Sequence, residues 1–172
     1  MSSIPIYSLL LLVAICGCST VGKMGQVMLD PDIQVGKPSD QPSTLGIALV
    51  ADDTLNQSTE GQANPLEFQI VQLAEESRLL ASDYDQLRQD LPKALDKNYL
   101  DHQDYTLLPG QFRYLPMEPL APNTRYIGVI AHYADPERSQ WRQLIRIQPT
   151  GHNYQLLVRL HASSVQLQRE EE

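Results

Sequence analysis

The first chemistry in this chain is offered by Ile15-Cys16-Gly17-Cys18, which closes the apolar run Leu9-Leu10-Leu11-Leu12-Val13-Ala14. A short hydrophobic stretch, a small residue and then a cysteine read as a bacterial lipoprotein signal, in which Cys18 is acylated and becomes the first residue of the mature protein. The run is too short for a spanning helix, which needs roughly 20 apolar residues. Ordinary secretory cleavage is the alternative, because Ala14 and Gly17 are small enough for a peptidase. No Lys or Arg precedes Leu9, so the amino terminus supplies the only positive charge there. One acyl chain holds a membrane marginally, at ~0.8 kcal/mol per buried CH₂, whereas two or more anchor stably. Acylation of Cys18 therefore predicts a domain that stays tethered to its bilayer in the periplasm. Ser19, where an Asp would suggest retention in the inner membrane, favours the outer membrane.

The remaining reactive residue types form no catalytic constellation. The chain has no G-x-S-x-G elbow, no H-E-x-x-H and no Walker-type phosphate loop. His132, Asp135 and Glu137 are the nearest approach to a metal site. Tyr133-Ala134-Asp135-Pro136-Glu137 reads better as a strand end and a turn, where Asp and Pro serve the backbone. Asp52-Asp53 and Glu75-Glu76 are neighbours whose side chains diverge, unlike a glycosidase acid and base. Arg138, Arg142 and Arg146 recur every four residues and read as a solvated face. The expectation is a protein that is not an enzyme, with no metal and no cofactor beyond the lipid on Cys18.

The segment that stands out is a connection. Asp52 to Pro65 joins two strand-like runs with 14 residues, where hairpin loops usually take about two to five. Connections of this length are functional or disordered, and its polar composition favours disorder. Leu55 is its one large apolar residue.

The elements around it are mostly strands. Leu45 to Ala51 is continuously apolar, the signature of a strand covered on both faces. Leu66 to Ile70 alternates, with Phe68 on the face of Leu66 and Ile70. Asp104 to Leu108, Phe112 to Met117, Tyr126 to Tyr133, Trp141 to Ile147 and Tyr154 to Leu160 follow, and Tyr126 to Tyr133 looks central. Seven short strands separated by turns predict a sandwich. Between the second and third, Leu80, Tyr84, Leu87 and Leu91 recur at helical spacing, with Ser82 as the expected cap and Asp83 and Asp85 in the first turn. The chain thus divides into a signal (1–17), a lipidated cysteine and turn-rich tether (18–43, with a short strand at Gln26 to Leu29), a β-sandwich (44–168) with a helical insertion at about 76–99, and an acidic tail (169–172).

Composition limits the partners. With 13 Lys and Arg against 21 Asp and Glu, the net charge is −8, and every charged residue lies after Cys18. Such a chain suits neither nucleic acid nor an anionic membrane surface. Cys16 and Cys18 are the only cysteines, so the domain has no disulfide and rests on its core.

These fragments in their order resemble the TssJ (VasD, Lip) family of type VI secretion lipoproteins. Leu55-Asn56, Gly61 and Pro65 resemble its first loop, followed by a strand ending in Gln72-Leu73. Ser82-Asp83-Tyr84-Asp85-Gln86-Leu87 is similar to its helix, Pro109-Gly110 to a turn, Tyr126 to Ala131 with Tyr133 to its central strand, and Trp141-Arg142 to the pair beyond it. Gln57 stands where the family often has Pro, and Leu79 where an aromatic is usual. The resemblance implies a mainly β, two-sheet, transthyretin-like sandwich with a short helical insertion. It also implies an outer-membrane anchor of the secretion apparatus, gripping the periplasmic C-terminal domain of TssM and, through it, the TssL-containing inner-membrane complex. The partner-binding loop it implies is Asp52 to Pro65. Leu55 is expected there as an apolar anchor, Asp52, Asp53 and Asn56 as polar contacts, and Gln57, Glu60, Gly61 and Pro65 as further loop positions. The alternative from another class is an envelope carrier or chaperone, which requires a solvent-accessible apolar cavity for a small ligand.

Overall fold

The computed structural model describes residues 38–169. The signal, Cys18 and the strand expected at Gln26 to Leu29 lie outside the described residues, as do the last three residues. Eight strands follow in order: β1 (Thr44–Ala51), β2 (Leu66–Leu73), β3 (Tyr99–Leu107), β4 (Phe112–Pro119), β5 (Tyr126–Ala131), β6 (Arg142–Arg146), β7 (Asn153–Leu160) and β8 (Val165–Arg169). They form two four-stranded sheets, β4-β1-β7-β8 and β3-β2-β5-β6. All pairings are antiparallel except β1 with β7, which run parallel from Thr44↔Asn153 to Ala51↔Leu160. The architecture is the expected two-sheet β-sandwich with a few short helices. The strand β8 is one more than the sequence pattern predicts.

Alternation builds the core between the sheets. Leu45, Ile47, Leu49 and Ala51 of β1 meet Leu66, Phe68 and Ile70 of β2 and Ile127, Val129 and Ala131 of β5, all buried. Each fully buried Leu or Phe contributes roughly 1.5–3 kcal/mol, so this shared layer holds the sheets together. One long side of the sandwich is closed by main chain. The Gln140 amide donates to the Ser163 carbonyl (2.9 Å) and the Val165 amide to the Gln140 carbonyl (3.0 Å), joining the ends of β6 and β8. Along the other side the edge strands β3 and β4 flank a cleft of about 350 Å³.

The helical insertion covers the outer face of the second sheet. It is three short helices, α1 (Ser77–Ala81), α2 (Tyr84–Gln89) and α3 (Leu91–Leu95). Leu79, Leu87, Leu91 and Leu95 pack on Val71, Leu73 and Ile130 as a second core. Leu79, and not the expected Leu80, is the inward residue, because α1 ends before the helical spacing can carry across. The cap of α2 is Asp83 rather than Ser82: its carboxylate accepts from the Gln86 amide (2.9 Å), and the Gln86 side chain accepts from the Asp83 amide (3.4 Å). Gly128 makes the close approach possible, since a Cβ there would lie 2.9 Å from both Leu79 and Val71 side-chain carbons. On the same face Tyr84 packs edge-on against Trp141 (5.3 Å) and His132 (5.7 Å). Burial, reinforced by the Arg88 charge, lowers the His132 imidazole below its ordinary pKa, so the neutral ring is favoured.

Arg142 fastens this insertion. From β6 its guanidinium donates to the carbonyls of Leu79 (2.6 Å), Ser82 (2.8 Å) and Leu80 (3.0 Å), which α1 leaves unsatisfied at its end. The solvated reading of Arg142 is therefore corrected, whereas Arg138 and Arg146 are exposed. Arg142→Ala should cost about 1.5–3 kcal/mol in urea denaturation, the range for hydrogen bonds from a charged donor. Amide exchange in 77–95 should accelerate while that of β5 stays slow.

Candidate functional site

The two ends of the sandwich differ in what they carry. The described chain enters beside the β6–β7 turn: Pro42 bridges Thr150, and the Gly151 amide donates to the Gln41 carbonyl (2.9 Å). Residues 38–43, expected as the end of a tether, are thus fastened to the domain, and Ser43 is fully buried. β1 then runs the length of the sandwich, about 25 Å for eight residues. At its far end lie the 52–65 connection, the β3–β4 turn at 108–111, residues 132–141 and the β7–β8 turn at 161–164.

The long connection is ordered, not the coil its composition favours. Its first five residues are pinned. The Asp52 amide donates to the Leu160 carbonyl (2.9 Å), and the Asp52 carbonyl accepts from Leu55 (3.1 Å) and Gly110 (3.1 Å) amides. The Asp52 carboxylate meets His161 Nδ1 at 2.6 Å. Leu55, expected as an anchor for a partner, is fully buried in the domain's own core. It is an anchor directed inward, which fixes the loop to the sandwich.

Asn56 does the most local work. Its φ of 46° lies in the left-handed region, which Asn tolerates better than most residues. Its Nδ2 donates to the Pro65 carbonyl (2.8 Å), and its Oδ1 accepts from the Ala134 amide (2.9 Å). Its own carbonyl accepts from Asn64 Nδ2 (3.1 Å). One side chain thereby ties both ends of the connection to the segment after β5. Asn56 is buried, so its polar groups serve the fold and are not exposed contacts.

Beyond Asn56 the loop turns outward. The Ser58 amide donates to the Gln62 carbonyl (2.8 Å) and the Gly61 amide to the Ser58 carbonyl (2.9 Å). The Ser58 hydroxyl accepts from the Glu60 and Gln62 amides, and Gln57 Nε2 donates to the Gly61 carbonyl (2.9 Å). Gly61 sits at φ 82°, where an L side chain would be strained. This self-closed tip exposes Gln57, Thr59, Glu60, Gly61 and Gln62, with Pro65 exposed at its base. Asp53 is exposed against the β3–β4 turn, and a Cβ at Gly110 would lie 2.6 Å from its Oδ1. Of the sequence-named positions, Asp53, Gln57, Glu60, Gly61 and Pro65 reach solvent, Asp52 is partly exposed beside His161, and Leu55 and Asn56 build the platform beneath.

The rest of the molecule offers little chemistry. Among the described residues no group of three or more His, Cys, Asp or Glu side chains could hold a metal ion. No described helix is long and apolar enough to cross a membrane. The cleft between β3 and β4 is lined by Asp101, His102, Arg113 and Glu118 as well as Leu45 and Ile47, which is not the apolar cavity a carrier requires.

Replacing Asn56 tests the platform. Asn56→Ala strands the Ala134 amide and the Pro65 carbonyl and leaves a left-handed residue without Asn's tolerance. A loss of about 2–5 kcal/mol in urea denaturation is expected, from roughly 1–3 kcal/mol of unmet hydrogen bonding and 1–2 kcal/mol of backbone strain.

The comparisons with known proteins agree with this geometry. The sequence profile of the family described as type VI secretion lipoprotein, VasD, EvfM, TssJ matches residues 43–163. No curated protein matches the chain in sequence. The solved T6SS lipoprotein TssJ1 from Pseudomonas aeruginosa superposes with a TM-score of 0.71 at 27% identity, over 76% of this chain and 98% of that one. Serratia marcescens Lip, a membrane-bound component of the type VI secretion system, gives 0.67 at 22% identity, over 76% and 99% of the two chains. A chain of a type VI membrane complex gives 0.65 at 22% identity, over 74% and 99%. These last two speak for the fold alone. With the match extending from the residue before β1 to the β7–β8 turn, the chain belongs to the type VI secretion lipoprotein family of VasD, EvfM and TssJ.

Proposed function

We propose that this protein is an outer-membrane lipoprotein that anchors the type VI secretion membrane complex from the periplasmic side. In this reading acylated Cys18 holds it to the outer membrane. The loop tip at 57–62 binds the periplasmic C-terminal domain of TssM, and through it the TssL-containing inner-membrane complex.

The observation that carries the reading is the separation of two ends along β1. The chain arrives from its amino-terminal side at the Pro42–Thr150 end, and the ordered tip stands at the other. A domain leashed at one end and presenting a contact at the other spans distance away from a membrane.

Two physical effects make such a contact efficient. Confinement to one leaflet raises the effective concentration of the tip, so a modest interface suffices for assembly. The tip also closes on its own hydrogen bonds, which lowers the ordering cost on binding. Family membership as a secretion lipoprotein supports a structural role over a catalytic one.

Two variants of the full-length protein test the reading. Cys18→Ala should move the protein from the outer-membrane fraction to the soluble periplasmic fraction while its affinity for the TssM domain is retained. Replacing residues 58–62 with a Gly-Ser link should leave it in the membrane and weaken TssM binding roughly tenfold or more. Unchanged binding by the tipless variant, or membrane retention of Cys18→Ala, would contradict the proposal.

A further inference from the structure

Most arginines in this domain already have an occupation. Arg142 holds the end of α1, Arg78 pairs with Asp96 (3.5 Å) and Arg138 with Asp135 (3.7 Å). Arg88 donates to the Tyr84 hydroxyl (3.0 Å), and the Arg113 guanidinium lies over the Tyr105 ring, 5.4 Å from its centre. The guanidiniums of Arg125, Arg146, Arg159 and Arg169 have no hydrogen bond, ion pair or ring partner among the described residues. Arg159 stands apart, near the loop end of β7. The other three line a single hollow of about 450 Å³.

Both sheets deliver these side chains to one corner of the sandwich. Arg146 ends β6 and pairs with Tyr126, the first residue of β5, so Arg125 lies beside it. The Ile147 amide donates to the Arg125 carbonyl (2.8 Å) and the Arg125 amide to the Leu73 carbonyl (2.9 Å), which fixes that backbone. Arg169 ends β8 in the other sheet, paired with Leu156 near the start of β7. The buried Ile147 and Tyr154 also line the hollow, with Gln148, whose amide donates to the Tyr154 hydroxyl (2.9 Å).

The charge in the hollow is of one sign. No described residue in its lining carries a carboxylate. Other acids at this end stand elsewhere. Asp101 and Glu118 border the cleft between β3 and β4, Glu75 and Glu76 follow β2, and Asp40 accepts from the Ser39 hydroxyl (3.2 Å). Glu170, Glu171 and Glu172, which follow Arg169 in the sequence, lie outside the described residues. Guanidiniums gathered without a counter-charge repel one another, and an anion that bridges them removes that cost. A phosphate group suits them best, because each planar guanidinium can offer paired N–H donors to its oxygens. The volume admits an esterified phosphate with its substituent.

The place of the hollow in the fold supplies the source of that phosphate. Its lining at 147–149 belongs to the turn that receives the incoming chain: the Ser43 amide donates to the Pro149 carbonyl (2.9 Å), and Pro42 bridges Thr150. We propose that Arg125, Arg146 and Arg169 form a binding site for a phosphate group, and that the anchored protein fills it with a phospholipid headgroup. The proposal rests on the anchoring by Cys18, which confines the domain among headgroups and raises their effective concentration. A net charge of −8 opposes general adsorption to an anionic surface, so the contact is one local site. An acyl anchor alone leaves the domain free to turn. A headgroup held at this end fixes its orientation, with the loop tip directed away from the membrane.

The test reconstitutes the full-length protein, purified from membranes, into vesicles of phosphatidylglycerol or of digalactosyldiacylglycerol, which has no phosphate. Phenylglyoxal labelling of Arg125, Arg146 and Arg169, read by mass spectrometry, should be roughly threefold or more lower in the phospholipid. Arg159, exposed at the loop end, should be labelled equally in both. The double variant Arg125→Gln with Arg146→Gln should lose the protection of Arg169 and still stay with the vesicles. Equal labelling in both lipids, by protein that stays with both, would overturn this inference and leave the anchoring reading standing. Failure of the unaltered protein to stay with either lipid would overturn both. Protection by millimolar inorganic phosphate in the galactolipid, with none from the phospholipid, would assign the site to free phosphate and overturn the headgroup. Protection in both lipids that vanishes when the chain ends at Arg169 would assign the hollow to residues 170–172 and overturn it as well.

Discussion

Asn56 is the constraint on which the functional end depends. A connection of 14 residues would ordinarily sample many shapes, because closing a longer loop costs only about 0.6 kcal/mol per doubling and fixes nothing by itself. Here one amide side chain joins the loop's return at Pro65 to the backbone at Ala134, while Leu55 drops into the core beside it. The ends are then fixed, and the short remainder can close on Ser58. Without that junction the tip would have no defined position relative to β1, the β3–β4 turn or the β7–β8 turn.

The sandwich is asymmetric in a way that gives each surface its own task. The second sheet carries its own cover, three short helices held by Arg142 and admitted by Gly128. One side is sealed by Gln140, and the end away from the loop receives the chain from its amino-terminal side. Among the described residues, no element covers the loop end or the adjoining outer face of the first sheet. Polar and apolar groups thus lie side by side there, the combination that interfaces use for orientation and for burial.

Much of the fold could be read directly. Alternation in Tyr154 to Leu160 and continuous apolarity in Tyr126 to Ala131 placed β7 and β5, and the loop's bounds at Asp52 and Pro65 match the connection observed. What was not legible has identifiable causes. β8 escaped because Val165 and Leu167 are only two inward residues among glutamines, too few for a period to show. The helix register failed at Leu80 because α1 and α2 are separate turns, restarted by the Asp83 capping box, so spacing across the break carries no phase. Leu55 was misjudged because a lone apolar residue in a polar loop looks the same whether it faces a partner or its own core. Arg142 looked solvated since nothing in a sequence says that a strand's arginine will meet the end of a distant helix. β1 was expected to be covered on both faces, but among the described residues no element packs on its outer face, where Ala48 and Val50 are only half-buried.

The most direct test of the account is amide hydrogen exchange of the full-length protein in lipid vesicles, with and without the TssM periplasmic C-terminal domain. The account predicts slowed exchange at residues 57–62, with no change in the helical insertion at 77–98 or the entry end at 148–152. Protection confined to the insertion or the entry end would contradict it.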